Sequence, residues 1–344
     1  MLDRLALHTK LSYRTNGIIR CLFGVMFALL FATVNNVMSP QIAAIFTILF
    51  LDKGKNALGL KKSIGIIIGI YGLGLAGLVL GSFVQDFMVI TLLLVGLVIF
   101  WSFKLVIIPV PVRMLFLSLT LLFPFLSLTA EPLGGLVLMD MTLNLAIALV
   151  ATQLAFFIFP ETVTITPPVV ANNELTEKFN LDKIAINGVL VIMPAVLYFY
   201  FFRPNTMVIT FAYIMMLALD PLIYKSKKSL VYIVANFFGG LAAVFAYNLL
   251  TITPTFFFYI FLLLAFGVYF VYQMFSDKKT VAIYAMAYRT FFVVMGVIVT
   301  SSDTAGDKVL DRLIGILIAI VYVVLAYKII SYFNDPEIHE TEKI

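Results

Sequence analysis

Apolar runs of bilayer-crossing length, roughly 17–25 residues, follow one another along the whole chain with short polar breaks between them. The first half gives runs at 16–34, 37–51, 63–83, 87–103, 112–129 and 135–159. The second gives 183–202, 205–222, 229–250, 255–275, 281–299 and 309–332. Each run predicts a transmembrane helix. The second is short, and Pro109, Pro111 and Pro124 interrupt the fifth around its start and end. The longest polar break, 160–182 (PETVTITPPVVANNELTEKFNLD), holds Pro167 and Pro168 and then an acidic piece. It is too short to carry a core of its own and reads as a cytoplasmic linker. The predicted organisation is a six-helix half over 1–159, the linker over 160–182, a second six-helix half over 183–332 and a cytoplasmic tail over 333–344. The start, MLDRLALHTKLSYR, lacks the apolar core of a signal peptide and reads as a short basic interfacial helix.

Composition agrees with this pattern. Hydrophobic residues make up 62% of the 344 and charged residues 12%, against about a quarter charged in soluble domains. So few charges cannot cover a water-facing surface of this size, whereas lipid removes the need. The fold class is therefore an all-α polytopic membrane protein of about twelve helices. Charge then orients it. Of 23 basic residues, 18 fall on the side of the N-terminus, Arg203, Lys308 and Arg312 fall opposite, and Arg20 and Arg289 lie within spans. By the positive-inside rule both termini are cytoplasmic. The asymmetry accounts for the net charge of +5 without a nucleic-acid partner.

The halves resemble each other. Lys61-Lys62-Ser63 opens a run continuing to Gly74-Leu75-Ala76, and Lys227-Lys228-Ser229 opens one continuing to Gly240-Leu241-Ala242, at a constant offset of 166. Asp52 and Asp220 end the runs just before these lysines. A repeat in one orientation implies a pseudo-two-fold axis along the membrane normal, which suits transporters and some channels alike.

Several motifs carry no chemistry. Gly72-Leu73-Gly74-Leu75-Ala76-Gly77 matches G-x-G-x-x-G, but the dinucleotide motif needs a preceding strand and an aqueous loop. Gly65, Gly69, Gly77 and Gly81 fall at multiples of four and read as one face for close helix contact. Gly54-Lys55-Asn56-Ala57-Leu58-Gly59 lacks the Gly-Lys-Ser/Thr ending of a phosphate loop. His8 and His339 lie in the tails and Cys21 is the single cysteine. No metal site, cofactor or catalytic constellation is expected, and the chain is not read as an enzyme.

Ionisable groups inside spans are costly and point to function by default. Arg289 lies near the middle of its run among Tyr284, Tyr288 and Thr290. A guanidinium binds a carboxylate through two hydrogen bonds, and tyrosines stack on aromatic rings. Arg289, Tyr288, Tyr284 and Asn144 are therefore candidate substrate-binding residues, the alternative for Arg289 being a buried ion pair, for example with Asp140. Asp140, one turn before Asn144 on the same face, is the candidate proton carrier, with a structural role as its alternative. Arg20, Asp52, Asp220, Asp311 and Arg312 are gating or structural candidates. Arg20 is expected to snorkel to the headgroups, Asp311 and Arg312 to pair with each other, and Asn236 and Asn248 to make interhelical hydrogen bonds.

At these residues the chain resembles the fusaric acid resistance and aromatic acid exporter superfamily of bacterial inner-membrane proteins. The features are the basic start with Arg14 and Arg20, a Pro shortly before a Thr (Pro40 to Thr47, Pro204 to Thr210), and a basic residue before spaced small residues. The last pattern occurs as Lys62-Ser63-Ile64-Gly65 with Gly69, and as Arg312-Leu313-Ile314-Gly315 with Ala319. The resemblance implies proton-driven export of aromatic carboxylates and related toxic organic anions, together with a periplasmic adaptor of the membrane-fusion type. Departures are Ile66 and Ile316 where the family has Thr, the missing aromatic after the Pro, and 160–182 in place of a large cytoplasmic domain. The chain is thus similar to a short branch of the superfamily. A passive organic-anion channel and a non-transporting envelope scaffold remain alternatives, and a homo-oligomer is compatible with each.

Overall fold

A computed structural model of the chain describes residues 13–52, 56–104, 110–129, 131–160, 181–202, 208–219, 228–278, 280–300 and 305–334. The interfacial helix expected before Tyr13, most of the 160–182 linker, the last ten residues and Asp220 lie outside the described residues. Described secondary structure is helical throughout. The helices are α1 (Tyr13–Val34), α2 (Pro40–Phe50), α3 (Leu60–Asp86), α4 (Met88–Lys104), α5 (Val110–Thr129) and α6 (Glu131–Ile158). They continue with α7 (Leu181–Phe202), α8 (Val208–Ala218), α9 (Lys228–Ile252), α10 (Phe256–Met274), α11 (Val281–Thr300) and α12 (Ala305–Asn334). Each predicted run coincides with one helix.

Over their described residues, seven (α1, α3, α6, α7, α9, α10 and α12) are long and apolar enough to cross a membrane. α2 has 11 residues, about 16 Å of helix, roughly half of a ~30 Å hydrocarbon core. Pro40 begins it, where a missing N–H costs no helical bond, and Leu51 ends it by donating its N–H to Thr47 O. The turn before it carries Asn36 at φ 53, a left-handed conformation that asparagine tolerates better than most residues. Pro109 lies outside the described residues, and the other two prolines of the fifth run do not break it. Pro111 sits in the first turn of α5, and Pro124 is held inside the helix.

The helices sort into two compact units, each drawing on both sequence halves. The first comprises Met1–Ile67, Met139–Val169 and Val231–Leu313, and the second Ile68–Leu138, Val170–Leu230 and Ile314–Ile344. In the first unit four helices close a ring: α1 on α2, α2 on α11, α11 on α10 and α10 on α1. Its core is aromatic, with Tyr288 stacked on Phe270 at 5.4 Å and Phe266 on Phe291 at 5.2 Å. Gly17 on α1 leaves room for the Phe275 ring at the end of α10, which a Cβ would strike.

The second unit closes a ring of its own: α7 on α8, α8 on α5, α5 on α4 and α4 on α7. Phe125, Phe199 and Phe211 meet at its centre, the last two stacked at 4.6 Å. Gly188 on α7 admits the Phe103 ring near the end of α4, and beside it Lys104 pairs with Asp182 at 2.8 Å. In the same unit α3 lies close on α5, with Gly77 against the Leu119 carbonyl and Gly81 against Pro124. The four-glycine face is only half a contact face. Among the described residues no atom of another element lies within 4 Å of where a Cβ would stand at Gly65 or Gly69, because the turns that carry them are exposed.

Candidate functional site

The described sequence-predicted groups divide among separate places, all in the first unit. At one place α2 starts. The Ser39 N–H donates to Asp140 Oδ1 at 3.2 Å, and the Asn144 amide donates to the same oxygen at 3.1 Å. Asp140 is 8% exposed and Asn144 fully buried. The carboxylate therefore sits at the N-terminus of α2, where the helix dipole favours negative charge. Asn144 Oδ1 is buried without a hydrogen-bond partner.

A second place lies where α2 ends. Arg20 is 4% exposed. It does not snorkel: its Nη1 donates to Phe159 O at 3.5 Å, and its guanidinium lies 4.2 Å from the centre of the Phe156 ring. The C-terminal turns of α6 cover it, so the side chain needs no route to the headgroups. Asp52 and Arg20 both lie within electrostatic reach of Cys21, which is buried. Beside them the Asn16 amide donates to Pro160 O at 2.6 Å. Gln153, further along α6, donates to Ser63 Oγ at 3.2 Å and to Leu58 O.

A third place joins α9, α11 and α12. Asn236, 1% exposed, accepts from Thr290 Oγ1 at 3.0 Å and from Arg312 Nε at 3.4 Å. The expected interhelical role of Asn236 is thus present, whereas Asn248 is exposed. Arg312 reaches Asn236 and Asp311 is exposed. Gly239, one turn along α9, sits against the Ala287 carbonyl, where any side chain would collide.

Arg289 stands apart from all three. It is partly buried, its Nε donates to Ala285 O of its own helix at 3.1 Å, and no ion pair joins it to Asp140 among the described residues. The alternative reading of that pair is corrected by the geometry: the α2 turn occupies the carboxylate. Two helical turns beyond Arg289, on the same face, Gly296 meets Gln41 of α2.

The tyrosines expected to accompany Arg289 separate. Tyr288 is fully buried, with its ring on Phe270 and its hydroxyl directed at Gly267 without a hydrogen-bond partner. Tyr284 lines a groove of about 670 Å³, a volume typical of ligand sites. Its walls are Phe238, Leu241, Ala242 and Phe245 of α9, Phe266, Tyr269 and Phe270 of α10, and Thr280, Ile283 and Ala287 beside Tyr284. The Tyr269 and Tyr284 rings meet edge to face at 6.1 Å. Sequence reading found Tyr284 but missed the rest of this wall. Phe238 and Phe245 are seven apart, a same-face spacing, but a chain with 33 phenylalanines offers many such pairs.

No family model, curated protein or solved structure matches the chain.

Proposed function

We propose that this chain is a membrane transporter of small organic anions, with Arg289 as the anion-binding group. The observation that carries the proposal is the guanidinium itself. Arg20 and Arg312 are engaged by backbone and side chains of other helices. Arg289, at the middle of a helix, is tied only through Nε to its own helix among the described residues, leaving the two terminal nitrogens to bind a carboxylate as a fork. A cation kept at such depth is costly unless it is used.

The repeat belongs to the same reading. Each four-helix ring takes the first two helices of one half and the fourth and fifth of the other. Gly17 with Phe275 and Gly188 with Phe103 are then one socket occurring twice. This supports two crossed copies of a six-helix unit, with α2 and α8 as matching short helices. Export across a bacterial inner membrane, proton coupling through Asp140 and a periplasmic adaptor follow the exporter resemblance.

The test is export of a labelled aromatic acid. Arg289→Ala is expected to slow it about tenfold or more, the worth of a charged hydrogen bond. Arg289→Lys, which keeps the charge without the fork, should fall between. Unchanged transport in both would remove the anion-site role. Proton coupling fails if Asp140→Asn leaves pH-driven uptake into inverted vesicles intact.

A further inference from the structure

The aromatic groove is separate from Arg289. At 3.6 residues per turn, Thr280, Tyr284 and Ala287 share one face of α11, and Arg289 lies roughly opposite. The groove opens outward: Phe238, Leu241, Phe245 and Tyr269 on its walls are each about half exposed, at 54%, 54%, 58% and 52%. In a membrane protein that outside is lipid.

Its two ends differ in chemistry. One end holds the exposed Thr280 and the phenols of Tyr269 and Tyr284, whose rings touch edge to face. Lys278 is exposed just before it, as is Asp277, and Lys279 follows in the sequence. The N-terminus of α11 begins there, at Val281, adding partial positive charge. The other end is Phe245 against Phe266, ring centres 6.2 Å apart, with Ala287. Hydroxyl donors, the Lys278 ammonium and the start of α11 at one end, and aromatic walls open to the bilayer beyond, suit a molecule with an anionic head and an apolar tail.

We infer that this groove binds an acidic phospholipid from the surrounding leaflet, with the phosphate at Thr280 and Lys278 and an acyl chain along Phe238, Phe245 and Phe266. The phenols donate hydrogen bonds to the head, and the apolar walls replace neighbouring lipid around the chain. Lipid reaches the site laterally, so occupancy does not depend on the state of Arg289.

The experiment uses the full chain purified in detergent and native mass spectrometry. Phosphatidylglycerol and phosphatidylcholine with identical acyl chains are offered at equal concentration. Phosphatidylglycerol should be retained roughly fivefold or more over phosphatidylcholine, in line with one surface lysine near an acidic headgroup. Ala242→Phe, which fills the groove, should bring retention of the acidic lipid down to that of the neutral one. Lys278→Gln with Tyr284→Phe should remove the preference while leaving both lipids weakly bound. Arg289→Ala should retain the acidic lipid as wild type does, so a failed transport test leaves this one readable. If Ala242→Phe does not yield folded protein, Leu241→Trp fills the groove from its lipid side. Equal retention of the two lipids by wild type, undiminished retention in the filled variant, or equal competition by soluble glycerol phosphate would each overturn the assignment.

Discussion

The two units bury different kinds of polar group. Among the described residues the second unit buries Thr91, Ser102, Thr120 and Thr210, hydroxyls without exception. Three of them donate to a carbonyl one turn back in their own helix: Thr91 to Phe87 O, Ser102 to Val98 O and Thr120 to Phe116 O. The first unit buries Asn16, Arg20, Asp140, Asn144 and Asn236 as well. A back-bonded hydroxyl is satisfied locally and commits its helix to no neighbour. A buried amide or ion needs partners on other elements, and a half-satisfied one is costly. The second unit adds to its apolar fit tyrosine hydroxyls that donate to carbonyls of neighbouring helices, Tyr200 to Leu121 O, Tyr322 to Val191 O and Tyr327 to Ala218 O, while the first adds buried amides and ions whose contacts fix how its helices meet. Chemistry that requires a charge at membrane depth has its place in the first.

The sockets set the largest expected effect. Gly17→Leu and Gly188→Leu each drive a side chain into a ring, and overfilling of this kind costs about 3 kcal/mol. Both variants should lose several degrees in the detergent melting temperature, and to a similar extent. A large loss in one and none in the other would break the correspondence between the units. Polar substitutions should separate the units instead. Asn236→Leu leaves the Arg312 and Thr290 donors without their acceptor and should cost about 1–3 kcal/mol. Thr120→Val should cost no more than about 0.6 kcal/mol, the average for such bonds in a membrane helix. Equal losses would mean that a buried amide joining helices matters no more than a hydroxyl bonded back to its own helix. The smallest effect is expected at Gly65 and Gly69, where alanine meets open space and gains helix propensity of up to about 1 kcal/mol. A melting temperature that falls there would reveal a contact face on α3 after all.

Much of the architecture is legible in the sequence, and the limits are physical. Hydropathy places all twelve helices, because each must hide its backbone from lipid whatever it touches. The bounds of α2 are legible too, its start in Pro40 and its end in Asp52. Glycine spacing finds a face but not what stands opposite, so Gly77 and Gly81 meet α5 while Gly65 and Gly69 meet nothing. For charges, the sequence gives an inventory without azimuth or depth. Asp140 and Arg289 share a membrane but not a contact, since the start of α2 reaches the carboxylate first. Arg20 looked close enough to the surface to snorkel, and only the placement of Phe156 and Phe159 reveals that it is covered. Least legible is the crossing of the halves into rings: periodicity is local, and the partners Phe103 and Gly188 lie far apart along the chain.

The bond between Ser39 and Asp140 also bears on how the protein is made. A segment of 11 residues is a weak insertion signal by itself, and α2 follows α1 after only the turn at 35–39. The two pack on each other as one hairpin. The carboxylate that seats this hairpin lies 101 residues downstream. At ribosomal rates it emerges roughly 5–20 s later. This hairpin thus waits for α6 before its turn is fixed, and a ribosome that stalls between the two leaves the hairpin without its anchor.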